Sequence, residues 1–219
     1  MAMTDTDIQA EVEKRAAERK KRDEELLALL LLFLLGWAED EAVVALGKML
    51  PSVPGELAAQ AGRLAGERVT TMAATMTKLI NDSTDRVASE LVGMGLDWDT
   101  ALRTANEAAA GLRTDRIAED QAYKARIVGQ FAAADVLREA VESGALADVA
   151  YPVKWRWRAY PGACGICAEL NGQVFEFDAD MEKSGIAVTP AGDTPGMVHP
   201  SCRCVVEYIL SDDREVSMD

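Results

Sequence analysis

A change of hydrophobic period at Tyr151-Pro152 constrains this chain more than any other feature. Up to about residue 150 apolar residues recur three and four apart, the spacing that lines one side of a helix. From Val153 to Tyr160 (VKWRWRAY) apolar and basic residues alternate instead, as in a strand with one face buried. The two periods predict an α+β protein, with a long, mainly helical N-terminal region followed by a small β-rich C-terminal domain.

Within the helical part, breakers set the element ends. Thr6 and Gln9 form a capping-box pair ahead of EVEKRAAERKKRDEE, whose opposite charges fall three and four apart. A helix starting near Asp7 is predicted to reach Gly36 and, if unbroken there, Leu50, where Pro51 and Pro54 stop it. A second helix is predicted over Gly55–Ile80, with Leu57, Ala61, Leu64, Val69, Met72, Met76 and Leu79 near one face. Its small residues Gly62, Ala65, Gly66 and Ala73 suit close helix approach. The pattern restarts at Asn81–Ser83 and breaks again at Gly93–Gly95. A third helix runs from Asp97 to Gly111, and Thr114 opens a longer one ending at Gly144. On that last helix Ile117, Gln121, Lys124, Val128, Phe131 and Asp135 trace one side, while Ala118, Ala122, Ala125, Gly129, Ala132 and Val136 trace a small-residue side fit for close packing.

In the β-rich part Trp155 and Trp157 are expected to cover a core, with Lys154, Arg156 and Arg158 facing out. Asn171-Gly172 marks a tight turn before a strand over Gln173–Phe177, and Val205–Leu210 is a third strand. Asp178–Val198 reads as a loop. The expected organisation is an N-terminal arm (1–50), a helical region (51–150), the small β domain (151–210) and a tail (211–219).

Charge narrows the partners. With 37 acidic against 23 basic residues the chain carries −14, a sign that repels phosphate backbones and anionic lipid. A basic grip on nucleic acid is disfavoured, and any DNA contact is expected to be weak or indirect. The apolar run Leu26–Ala38 (LLALLLLFLLGWA) is shorter than the ~20 residues needed to cross a bilayer, and Glu39, Asp40 and Glu41 close it off. The mixed charge before it and the lack of a small-x-small site after it do not suit a secretory signal. A core or partner-facing helix is the expected role, membrane insertion the lesser one.

All four cysteines and the only histidine fall between Cys164 and Cys204, spaced Cys164-x2-Cys167-x31-His199-x2-Cys202-x-Cys204. A Cys-x-x-Cys turn containing glycine aims two thiolates at one ion, and a second group from far along the chain completes a tetrahedron. Zinc suits such a soft, mixed sulfur and nitrogen set. Cys164, Cys167, His199 and Cys202 are the preferred ligands, with Cys204 able to exchange with Cys202. Five candidates for four positions leave no place for water, which predicts a structural zinc that stabilises the small domain. Two disulfides, or free thiols with a structural histidine, are the competing readings.

Catalysis fits poorly, and the expectation is that the chain is not an enzyme. A zinc deaminase needs His-x-Glu upstream of its cysteine pair, and no histidine precedes Cys164. His199 with a cysteine lacks a recognisable orienting residue. Asp178, Asp180 and Glu182 are explained by loop solvation.

The stretches Arg116–Gln121, Lys154-Trp155, Cys164–Cys167, Leu170–Gly172 and His199-Pro200-Ser201-Cys202-Arg203-Cys204 together resemble the C-terminal domain of the phage Mu protein F-like head morphogenesis family, the minor capsid proteins of tailed phages. The combination of C-x-x-C, an N-G turn and H-P-x-C-R-C is far more specific than any piece of it. The resemblance implies a virion protein inside the phage head, made in the host cytoplasm, which acts in procapsid assembly at or near the portal and leaves with DNA at ejection. Its implied partners are the portal protein and other head proteins, major capsid or scaffold. Self-association through the N-terminal helices is a further expectation. The alternative is a zinc-stabilised nucleic-acid-binding module using Lys154, Arg156 and Arg158.

Overall fold

The computed structural model describes residues 5–113, 116–163, 165–177 and 204–218. Five helices and four strands occur among them, in the order α1 (Asp5–Met49), α2 (Gly55–Gly93), α3 (Trp98–Arg113), α4 (Arg116–Glu142), β1 (Pro152–Arg158), α5 (Gly165–Leu170), β2 (Val174–Glu176), β3 (Val205–Leu210) and β4 (Glu215–Ser217). The class is α+β, mostly helical with one small antiparallel sheet.

The first helix is unbroken at Gly36 and spans 45 residues, about 68 Å at the usual rise. Leu34, Ala38, Ala42, Ala45, Leu46 and Met49 line its buried side. The second helix also runs on through Asn81–Ser83, where the sequence suggests a restart. The reason lies in α1. Asn81 Nδ2 donates to Asp23 Oδ1 at 2.5 Å, Arg19 bridges Asp82 at 2.5 Å and Asp85 at 2.6 Å, and Arg22 meets Asp85 at 2.8 Å. Thr84 turns its hydroxyl back onto the Ile80 carbonyl. Polar residues that would favour a helix end in isolation are thus satisfied by the neighbouring helix, and the backbone stays helical.

Leu57, Ala61, Val69 and Met72 of α2 are buried as their spacing predicts, and Leu64 is half-buried. The side chains of Met76 and Leu79 lie outside the described residues. At the start of α3 the Asp97 carboxylate accepts the Thr100 backbone N–H at 3.0 Å, an N-terminal cap. That bond and the Thr100 hydroxyl hold the Asp97 carboxyl below the usual carboxylate range.

On α4, Ala125, Gly129, Ala132 and Val136 are buried, as are Lys124, Val128 and Phe131 on the adjoining line; the side chains of Ile117, Ala118, Gln121 and Ala122 fall outside the described residues. Gly129 is the point of closest approach. A Cβ built there would sit within the contact radius of the Ala38 carbonyl oxygen and 3.0 Å from the Ala42 nitrogen, both backbone atoms of α1. Asp135, on the edge of the buried line, pairs with Arg68 of α2.

The sheet has the order β2-β1-β3-β4, antiparallel throughout, with Arg156 opposite both Val174 and Glu207 and with Trp157 opposite Val206. Trp155, Trp157, Val206, Tyr208 and Leu210 are fully buried. Phe131 of α4 meets them edge-on, 6.4 Å from Trp155 and 5.5 Å from Tyr208. One continuous apolar core therefore joins α1, α2 and α4 to the sheet. The boundaries expected near residues 50 and 150 fall in the α1–α2 and α4–β1 connections. Residues after Leu210 add β4, hydrogen-bonded to β3, where the sequence suggests only a tail. The expected loop 178–198 lies outside the described residues. Among the described residues no helix is long and apolar enough to cross a membrane.

Candidate functional site

Both described cysteines arrive at one end of the sheet. The chain leaves β1 at Arg158, turns at Pro161-Gly162 and forms α5, so Cys167 sits within a short helix and not in the simple turn that C-x-x-C suggests. From α5 it passes Asn171-Gly172 into β2. Gly172, at φ +82°, takes the left-handed conformation that favours glycine. Its N–H donates to the Trp157 carbonyl at 2.8 Å, and the Asn171 side-chain oxygen accepts the Ala159 N–H at 2.9 Å. This ties α5 to the C-terminal end of β1. On the other side of β1, Arg158 pairs with Val205, which puts Cys204 one residue beyond the same end.

Cys167 and Cys204 are buried and are not bridged to one another. The Tyr123 hydroxyl, reaching from α4, donates to the Cys204 carbonyl at 2.6 Å and anchors the start of β3 to the helical body. Cys164, His199 and Cys202 lie outside the described residues. Among the described residues no group of three or more His, Cys, Asp or Glu side chains converges as a metal site would. Two of the five expected donors are thus brought to one end of the sheet, one from each half of the motif. Asp178, Asp180 and Glu182 also fall outside the described residues.

The basic face of β1 is neutralised from within. Arg156 meets Glu215 at 2.7 Å and Glu207 at 2.8 Å, Arg158 meets Glu207 at 2.8 Å, and Lys154 meets Glu176 at 3.4 Å. The Glu215 carboxylate, helped by Glu207, holds the Arg156 guanidinium above its ordinary value. Each of the three bases already has an acidic partner from a neighbouring strand, which removes the positive field a phosphate backbone needs. Beside this face an open cleft of about 820 Å³ is bounded by Tyr123, Tyr160, Pro161, Val205 and the Arg158–Glu207 pair.

Two features are not evident from residue types alone. Glu41, which in sequence only ends the apolar run, is buried and takes hydrogen bonds from Gln130 Nε2 at 2.8 Å and Arg126 Nε at 3.1 Å. Its position on the 34-38-41-45 line of α1 is the signal that places it inside. The apolar run itself is two-sided: Leu34 and Ala38 enter the core, while Leu29, Leu32, Phe33 and Trp37 are 54–77% exposed. Comparison with family models, curated proteins and solved structures returned no match.

Proposed function

We propose that this chain is a minor capsid, head-morphogenesis protein of a tailed phage, working through protein contacts at or near the portal during procapsid assembly. The observation that carries the reading is the C-x-x-C, N-G and H-P-x-C-R-C pattern, and the position of Cys167 and Cys204 at the same end of the sheet is compatible with it. A structural zinc fits the donor chemistry of that end. Cys164, Cys167, His199 and Cys202 would hold it, with Cys204 as the alternative to Cys202. It would supply closure of the small sheet and no reaction step. The self-paired bases on β1 favour this reading over nucleic-acid binding.

The direct test is fractionation of phage particles and assembly intermediates. The protein is expected to co-sediment with heads and co-purify with portal; absence from both particles and intermediates overturns the assignment. Native mass spectrometry tests the zinc separately. One bound zinc is the expected result, and a metal-free mass lower by four hydrogens would instead establish two disulfides.

A further inference from the structure

The exposed side of α1 carries a line of residues whose spacing is the same read in either direction. Lys21, Glu25, Leu29, Leu32, Gly36 and Asp40 follow one another at intervals of four, four, three, four and four, all of them exposed. The middle of the line falls between Leu30 and Leu31. Two such helices laid antiparallel about that point bring Leu29 against Leu32, Glu25 against Gly36, and Lys21 against Asp40, each pair occurring twice by symmetry. Size complements charge. A Cβ at Gly36 would meet nothing within 4 Å, which leaves room for the incoming Glu25 stem.

We propose that this face of α1 is an isologous interface that pairs with a second copy of the chain, antiparallel and centred between Leu30 and Leu31. The inference rests on α1 alone and does not depend on the reading of the cysteine end. Leu32 is 77% exposed, Phe33 66%, Leu29 56% and Trp37 54%, and Val43 and Val44 extend the same face. Together they present roughly 600 Å² of apolar surface, at the upper end of what a monomer leaves uncovered and near the ~800 Å² each partner contributes to a standard interface. The ends decide the partner and its direction. Lys21, which also lies 3.8 Å from Glu25 on its own helix, meets Asp40 of the second copy only when that helix runs the opposite way, whereas parallel pairing in register sets Lys21 against Lys21 and Asp40 against Asp40.

Sedimentation equilibrium of the full chain from micromolar to sub-millimolar concentration tests this. A reversible dimer is expected. Leu32→Asp should abolish it with the far-ultraviolet circular dichroism unchanged, and with the thermal melt unchanged at concentrations low enough for the parent to be monomeric, because the residue touches no core. Lys21→Glu and Asp40→Lys should each weaken the dimer roughly tenfold, since two attractive contacts become repulsive, and the double variant should restore it. Because both sites are solvent-exposed, this charge exchange stays informative even if Leu32→Asp fails to fold. A monomer at every concentration, a dimer that survives Leu32→Asp, or charge variants with no mutual rescue overturns the proposal. So does a monomer that instead sediments with phosphatidylcholine or phosphatidylglycerol vesicles, which would assign the face to a lipid surface.

Discussion

Replacing Gly129 with alanine adds one methyl group at the most closely approached of the described glycines. The new Cβ would overlap the Ala38 carbonyl oxygen and lie 3.0 Å from the Ala42 nitrogen and 3.2 Å from the Ala38 carbonyl carbon. All three are backbone atoms in the middle of a 45-residue helix, so no side chain can rotate away. Relief requires α1 and α4 to separate by about 1 Å in an interior packed at crystal density. Such overpacking costs roughly 1–3 kcal/mol. Separation also stretches the neighbouring hydrogen bonds from Gln130 and Arg126 to the buried Glu41 carboxylate, for which a loss of about 1–3 kcal/mol is usual when a charged partner is involved. Against this stands the better helix propensity of alanine, about 1 kcal/mol. The net expectation is a loss of about 1–5 kcal/mol, or roughly 2–20 °C in Tm for a chain of this size. Thermal and urea denaturation followed by circular dichroism measure it. Gly62→Ala in α2, where an added Cβ meets nothing within 4 Å, is the control and should raise Tm by roughly 2–4 °C. Gly66→Ala should fall between them, because its nearest neighbour at 3.3 Å is the movable Glu39 carboxylate. If Gly129→Ala melts at or above the parent while Gly62→Ala rises as expected, the close approach of α1 and α4 at this residue is refuted.

Tyr208 supplies a pH test. Its hydroxyl is buried with no hydrogen-bond partner among the described residues, and burial, reinforced by the Asp135 charge, pushes its pKa well above 10. The contribution of the neutral phenol is intact below the ordinary tyrosine range and is lost as pH rises from there toward the folded value. The urea midpoint should drop above about pH 10 by less in Tyr208→Phe than in the parent, and at pH 7 the variant should be at least as stable, since no bond is lost. Asp97 runs the other way: its depressed pKa gives stability above the ordinary carboxylate range that fades as pH falls through the folded value. Asp97→Ala should flatten that acid limb, while Asp97→Asn should keep the cap and also lose the pH dependence. Asn81→Leu should destabilise the chain by roughly 0.5–1.5 kcal/mol in urea titrations, because it removes the hydrogen bond to the Asp23 carboxylate, which keeps Arg19 and solvent as partners. If zinc closes the cysteine end, chelation should lower Tm in the parent and leave a Cys167→Ser variant unmoved.

Much of this fold is legible in the sequence because period and breakers agree. Pro51 and Pro54 end α1, the alternation VKWRWR gives β1 with both tryptophans inward, and the small side of α4 does meet a neighbour closely, at Gly129. What is not legible depends on partners distant in sequence. Asn81, Asp82 and Ser83 carry the local chemistry of a helix end, and Asp23 and Arg19 on the facing helix hold Asn81 and Asp82 within an unbroken helix instead. In the same way β4 is a three-residue strand that owes its existence to β3 beside it, its alternation of Glu215, Val216 and Ser217 being too short to mark a strand by itself.

The candidate site divides along the same line. That Cys167 and Cys204 share one end of the sheet follows from topology: β1 hands the chain to α5 and β2 on one side and pairs with β3 on the other, so α5 and the residue before β3 lie at the same end, on opposite flanks of β1. The sequence supplies the donor types but not this placement. The bases of β1 teach the reverse lesson. Three cations on alternate positions suggest a phosphate-binding strip until register is known, and register sets Glu207 and Glu215 directly among them. Alternation identifies which residues face outward; only pairing decides whether they face solvent or one another. The apolar line of α1 has no such internal answer among the described residues, since α2 and α4 cover its other side and leave Leu29, Leu32 and Phe33 outside. A face of that size, bounded by opposite charges at symmetric distances, is a surface for a partner, and the partner whose charges match its reversed spacing is another copy of the same helix.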